Sequence, residues 1–157
     1  MKVRLVTTAD SYEIWTWRND SLARKNSRAG ELIEWEAHSL WLSNLIASSR
    51  NIAYIGLIND EQDKIGICRF DLKPKVSVAE VAINMNPVFR GQGLSREFLK
   101  QSVGFFSLKH DERLEAEIKR GNLASVSLFT NVGFELLNSD EEYLKYSLNL
   151  LTRQAEN

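Results

Sequence analysis

Apolar and polar positions follow two periods along this chain, and together they predict a mixed α/β domain. Residues 2–6 alternate and read as a first strand. A helix follows: Asp10 is a natural N-cap with Glu13 three residues on, and Tyr12, Ile14, Trp15 and Trp17 carry it toward Arg18, Asn19 and Asp20. Residues 21–30 are polar and irregular. Residues 34–48 form a second helix, with Trp35, His38, Leu42 and Leu45 on one face and Trp41 beside it. Two strands at 51–58 and 65–72, joined by a polar loop from Asn59 to Lys64, predict a hairpin. After a turn at Lys73-Pro74-Lys75, residues 78–85 form a strand with Val81, Ile83 and Met85 on one face and Glu80, Ala82 and Asn84 on the other.

A third helix spans 93–110, with a broad apolar face through Leu94, Phe98, Leu99, Val103, Phe105 and Phe106. Gly104 inside it costs helix stability, which implies a close packing contact there. Residues 113–118 alternate as a strand. Asn122 then caps a short helix that Gly133 stops. Residues 135–138 and 142–150 supply the last two strands, and 152–157 form a polar tail expected to fray.

Composition narrows the function. The chain has 157 residues, enough for one domain, and a net charge of −1, so it carries no broad footprint for nucleic acid or an anionic membrane. Cys68 is the only cysteine, which excludes an internal disulfide; with only His38 and His110 beside it, a structural zinc site is not expected. Cys68 reads as a packed strand residue, with nothing nearby to lower its pKa. The chain shows no signal peptide and no long apolar span, so a cytoplasmic protein is expected.

Chemistry concentrates where the strand at 78–85 runs into the third helix, through Arg90-Gly91-Gln92-Gly93-Leu94-Ser95. The two glycines admit backbone angles that other residues resist and leave the turn open to a ligand. The first N–H groups of a helix lack internal partners and carry partial positive charge, so such a turn suits a phosphate or pyrophosphate. The alternative is an ordinary strand-to-helix connection. Glu80 is a carboxylate on a central strand, either paired, exposed at a cleft or raised in pKa. Arg18 and Asn19 offer donors to an anionic or polar ligand, or else close an amphipathic helix with a solvated end. His38 is either a hydrogen-bonded, partly buried histidine or a substrate or proton-transfer group.

With the second motif, Asn122, Ser125, Leu128-Phe129 and Gly133-Phe134, the chain resembles the GCN5-related N-acetyltransferase (GNAT) superfamily over nearly its whole length. That family's pyrophosphate motif, Arg/Gln-x-x-Gly-x-Gly/Ala, departs here only in ending on Ser95. The resemblance implies a GNAT fold: a central, mixed but mostly antiparallel sheet of about seven strands flanked by four helices and splayed between strands 4 and 5. It implies acetyl-CoA as co-substrate and no metal. The backbone of residues 91–95 would hold the pyrophosphate, with Arg90, Gly91, Gln92, Gly93, Leu94 and Ser95 as its site. Ile83, Asn84 and Met85 would pair with the pantetheine, and Asn122 and Ser125 would line the donor site. Many members use a tyrosine where Phe129 stands; Phe129 cannot donate, which leaves Tyr143 as a substitute acid, or a thiolate that departs unprotonated. Glu80 matches a position where some members place a base.

Trp17-Arg18-Asn19 with His38 and Trp41 resembles the amino-terminal part of nucleotide-sugar amine N-acetyltransferases of the pseudaminic-acid type. This implies a small-molecule amine acceptor held by Arg18, Asn19 and His38, with Arg24 or Lys25 near its diphosphate, in a monomer or homodimer. Two alternatives are a ribosomal-protein-type N-terminal acetyltransferase and an acyl-CoA sensor without turnover.

Overall fold

A computed structural model describes residues 1–151. Strands β1 (Lys2–Leu5), β2 (Asn51–Ile58), β3 (Asp63–Lys73), β4 (Val78–Met85), β5 (Arg113–Lys119), β6 (Glu135–Ser139) and β7 (Tyr143–Leu148) form one sheet in the order β1-β2-β3-β4-β5-β7-β6. Neighbours are antiparallel except β4 and β5, which are parallel. This is the GNAT sheet expected from the motifs. Among the described residues five α-helices flank it, one more than expected: α1 (Ser11–Asn19), α2 (Ser21–Asn26), α3 (Trp35–Ala47), α4 (Leu94–Ser107) and α5 (Leu123–Val132). The tail at 152–157 lies outside the described residues.

The addition is α2, in the segment expected to be irregular. Its six residues are too few to show an apolar period, and none is buried. Asp20 starts it, its side chain accepting a hydrogen bond from the Ala23 amide at 3.1 Å.

The sheet separates two cores because strand side chains alternate between its faces. One core joins α1 and α3 to the sheet through Val6, Ile14, Trp17, Leu42, Leu45, Ile55 and Ile67. The other packs α4 and α5 through Phe70, Phe98, Leu99, Phe106, Leu114, Phe129 and Phe134. Phe70 and Phe106 stack there with centroids 4.4 Å apart. Cys68 is buried in the same core, as its strand pattern suggested, and burial pushes its thiol up to about 12.

Two local expectations are corrected. Asp10 precedes α1 but makes no side-chain cap to it. Its carboxylate is fully buried and turns back to β1 and β3. It accepts from Arg4 Nη1 and Nη2, each at 2.8 Å, and from the Thr7 amide at 2.9 Å, with Lys64 Nζ at 3.0 Å. Burial alone would raise its pKa, but these donors hold it well below the usual carboxylate range. Gly104 has no packing reason: a Cβ built there meets nothing within 4 Å. Gly104→Ala should therefore stabilise the protein by about 0.5–1 kcal/mol, through a less flexible unfolded chain and better helix propensity. A raised urea midpoint at constant slope would show it; an unchanged or lower midpoint would reveal a constraint that the packing does not explain.

Candidate active site

Strands β4 and β5 pair only through Val78 with Arg113, Ala79 with Leu114 and Glu80 with Glu115, and beyond Glu80 they separate. On its other side β4 stays paired with β3 along its full length, in unbroken register from Lys73–Val78 to Gly66–Met85. Alternation fixes where its backbone points. Asn86 N–H bonds toward β3, to the Ile65 carbonyl, while Ser77 C=O faces β5 and accepts from Arg113 N–H at 3.2 Å. The N–H and C=O groups of Val81, Ile83 and Met85 therefore face the gap, where an extended amide chain can bond to them, the Met85 carbonyl already accepting from Arg90 Nη2 at 3.4 Å. Of the three residues expected to pair with the pantetheine, Ile83 and Met85 turn their backbone to the gap, whereas Asn84 turns its own into the β3 ladder.

At the open end of the gap, Asn86 ties the chain down. Its side chain accepts from Val88 N–H at 3.2 Å and donates to the Lys64 carbonyl at 2.9 Å. Gly91 and Gly93 follow with φ of +74° and +76°, both exposed, and a Cβ on either would meet nothing within 4 Å. The turn is thus an open cradle, and Leu94 and Ser95 begin α4 with its free N–H groups beside it. These residues fit a pyrophosphate. Two side chains of the motif act locally. Gln92 donates to the Val88 carbonyl at 3.0 Å. Arg90 does not reach over the cradle as expected: its Nη1 pairs with Asp20 at 2.6 Å, bracing the turn against the start of α2.

Because β4 and β5 are parallel, the head of α5 lies at this same end of the gap. Asn122 accepts from the Ser125 amide at 3.2 Å and donates from Nδ2 to Ser125 Oγ at 3.0 Å. Phe129 is buried and meets Phe134 edge-on at 5.0 Å.

Across the sheet, Ala82 is exposed in the middle of the central strand, which marks the floor of a cleft between α1 and β4. Glu80 and Asn84 flank it on the same face. Asp71, Glu80 and Glu115 form one cross-strand row, since Asp71 opposes Glu80 and Glu80 opposes Glu115. Each carboxylate has a cation: Arg69 on Asp71, Lys73 on Glu80, Arg113 on Glu115. Arg28 bridges from the segment after α2 to Glu117 at 2.5 Å and lies over the Tyr143 ring at 4.3 Å.

Arg18 differs from these cations. Its guanidinium lies 3.9 Å from the Trp41 ring centroid, with Arg69 on the same ring at 5.5 Å. Its hydrogen-bond partner is His38 Nδ1 at 3.1 Å, and it has no carboxylate among the described residues. Burial, with Arg69 adding to it, lowers its pKa to about 10, so it stays charged at neutral pH. A cavity of about 330 Å³ shares the Trp41 and Arg69 side chains with this cluster and runs on to Asp71, without Arg18 in its wall.

His38 is fully buried between Arg18 and the Ser11 carbonyl, which its Nε2 reaches at 2.8 Å. A carbonyl requires Nε2–H, so Nδ1 accepts from Arg18 and the ring is neutral. Burial, and the adjacent Arg18 charge, push its pKa down. It positions Arg18 from behind. Asn19 is engaged too: its Nδ2 donates to the Ile33 carbonyl at 2.9 Å and its Oδ1 accepts from the Ile33 amide at 2.8 Å. Sequence reasoning did not single out Arg69 or Arg28; only the strand register and the path of α2 bring them to the cleft. Among the described residues, no group of three or more histidine, cysteine or acidic side chains could hold a metal, and no helix is long and apolar enough to cross a membrane.

The profile of the acetyltransferase (GNAT) domain family matches residues 1–135. No curated protein matches significantly by sequence. Solved structures do match in shape. One is spermidine N-acetyltransferase from Vibrio cholerae in complex with CoA and spermine, with a TM-score of 0.81 at 13% identity, covering 96% of this chain and 95% of that one. Another, a point mutant of the spermidine N-acetyltransferase SpeG from Vibrio cholerae, gives 0.80 at 14%, covering 98% and 99%. A domain from Methanocaldococcus jannaschii gives 0.80 at 19%, covering 94% and 97%.

Proposed function

The chain belongs to the GNAT acetyltransferase domain family and is an acetyl-CoA-dependent N-acetyltransferase; from that premise we propose that its acceptor is a small primary amine that also carries an anionic group, a nucleotide-linked amino sugar of surface-glycan biosynthesis. The observation that carries the reading is Arg18. Every carboxylate of the row on the acceptor face already has a cation, whereas Arg18 is charged, half-buried and without an acidic partner among the described residues. A guanidinium held on an indole and backed by a neutral imidazole suits a phosphate or carboxylate. Uracil or sugar rings find an apolar surface on Trp41.

In this reading acetyl-CoA enters the β4–β5 gap with its pyrophosphate on Gly91 to Ser95. The acceptor approaches from the α1 side over Ala82. Its ammonium must lose a proton before attack, and Glu80, where β4 and β5 part, takes it directly or through water. A backbone N–H of β4 facing the gap holds the oxyanion.

Arg18→Ala should raise the acceptor KM about tenfold or more, the worth of one charged hydrogen bond, and leave coenzyme A affinity within about twofold. Weakened coenzyme binding with an unchanged acceptor KM would move Arg18 to the donor side. The test of function is thiol release from acetyl-CoA against UDP-linked amino sugars, spermidine, spermine and peptides with free N-termini. Release with UDP-amino sugars is expected. A second reading, a polyamine acceptor, draws on the Asp71–Glu80–Glu115 row and on the spermine named for one structural neighbour. Release with polyamines alone would establish it and overturn the first.

A further inference from the structure

We propose that the cavity shared by Trp41, Arg69, Asn44 and Asn51 is the subsite for the nucleobase end of the acceptor, with Arg69 holding the phosphate next to it. The inference rests on the nucleotide-linked reading of the acceptor and goes beyond it by naming a second arginine and the place of the base.

Arg69 opposes Ala82 across β3 and β4, so it stands beside the floor of the cleft. Its Nε donates to Asp71 Oδ2 at 2.9 Å, and Asn51 Nδ2 donates to the other oxygen of that carboxylate at 2.5 Å. Asp71 is thereby neutralised, and it holds the guanidinium by one edge. Both Nη groups of Arg69 are left without an acceptor among the described residues. Trp41 carries Arg18 on its ring, and Arg69 reaches the same ring. Two guanidiniums that repel each other are thus held together, and one carboxylate serves the pair. Such a pair suits two linked anionic groups, as in a diphosphate.

Beyond Trp41 the chemistry changes. The cavity has a volume of about 330 Å³. That lies within the range of small-molecule sites, about 300–1,000 Å³. Its other polar groups are neutral and largely unspent. The Asn44 amide has no partner among the described residues, and Asn51 spends only its Nδ2. Ser48 Oγ accepts from the Arg50 amide at 3.1 Å, which leaves its O–H without an acceptor among the described residues. Neutral donors and acceptors beside an indole suit the edge and the face of a base. They do not suit a polyamine: the one carboxylate in the wall is bonded twice, and a guanidinium lies beside it.

The strand register supplies the distance. Asn51 opposes Asp71, and Asp71 opposes Glu80. The Asn51 wall therefore lies two strand spacings, about 10 Å, from Glu80. A diphosphate bridges that span, with its amino sugar over Ala82 and its base beyond Trp41.

Calorimetric titration of the full chain with UDP, and with inorganic pyrophosphate, tests this. Saturating coenzyme A is present, so that the turn at Gly91 and Gly93 does not take the probe. Asn44 is an exposed helix position, so Asn44→Ala leaves the fold intact. It should weaken UDP about tenfold, the worth of two neutral hydrogen bonds, and leave pyrophosphate within about twofold. Arg69→Gln should weaken both about tenfold or more. Wild-type UDP affinity in either variant overturns the proposal, and so does an equal loss of both ligands in Asn44→Ala. UDP that binds wild type and blocks acetyl transfer, but is indifferent to both variants, removes this inference alone. A wild-type chain that takes no UDP removes the nucleotide-linked reading, and this inference with it.

Discussion

Gly93→Val should raise the dissociation constant for coenzyme A by about tenfold or more while the protein stays folded. The reason is conformational, not a clash. A Cβ at Gly93 meets nothing within 4 Å, but the residue sits at φ +76° as the N-cap of α4. An L-residue in that region costs about 1–2 kcal/mol, and a β-branched one more. The turn can relieve the strain only by rotating away, which re-aims the free amides of Leu94 and Ser95. Each ~1.4 kcal/mol lost in this way is about tenfold in affinity. Calorimetric titration with coenzyme A, beside a thermal melt, separates the outcomes. Wild-type affinity in a folded variant would remove the pyrophosphate role from this turn.

Asp10→Ala should be the most destabilising single change in the chain outside the apolar core, at about 3–5 kcal/mol. Asp10 is fully buried, and its carboxylate gathers Arg4, Lys64 and the Thr7 amide from three segments. Removing it leaves Arg4 without its carboxylate and Lys64 with Glu13 alone. A domain of this size has about 5–15 kcal/mol in total, so the variant should lose much of its urea resistance. The same site fixes a pH dependence. The folded pKa of Asp10 lies below its unfolded value of 3.8. Its contribution is therefore full above that value and is lost as pH falls from there toward the folded pKa. Urea midpoints measured at descending acid pH should fall more steeply for wild type than for Asp10→Asn. Parallel slopes would show that other carboxylates govern acid unfolding.

What could be read in advance was whatever depends on neighbours in sequence. The alternation of Val81, Ile83 and Met85 predicted β4 with the bounds it has, because a strand's faces are set by its own residues. Asn122 and Gly133 marked the ends of α5 for the same reason: a cap and a left-handed stop act within one turn. The turn at Gly91 and Gly93 showed itself by composition. What stayed hidden depends on partners far along the chain. Asp10 looked like a cap because its partner Lys64 lies on β3, a strand the local pattern cannot place beside it. Arg90 looked like a phosphate ligand because Asp20, 70 residues away, is brought to it only by the fold. Arg18 was marked as a candidate donor, but its lack of an acid among the described residues, and the Arg69 charge beside it, needed the strand register to be seen.

The gap between β4 and β5 makes this protein a sheet with an edge in its interior. Exposed edges recruit strands indiscriminately, and outer ones are kept safe by being short, charged or covered. Here the shape gives the protection. Glu80 and Glu115 close one end, so the opening is a wedge, and on its β4 side the backbone that faces it is that of Val81, Ile83 and Met85. A flat β-strand from another copy of the chain has two rows of side chains and cannot follow a taper. A slender chain of amides with no side branches can. The geometry proposed to admit the acyl donor is thus also a filter against self-association, and widening it at Glu80 would trade selectivity among ligands for a site of aggregation.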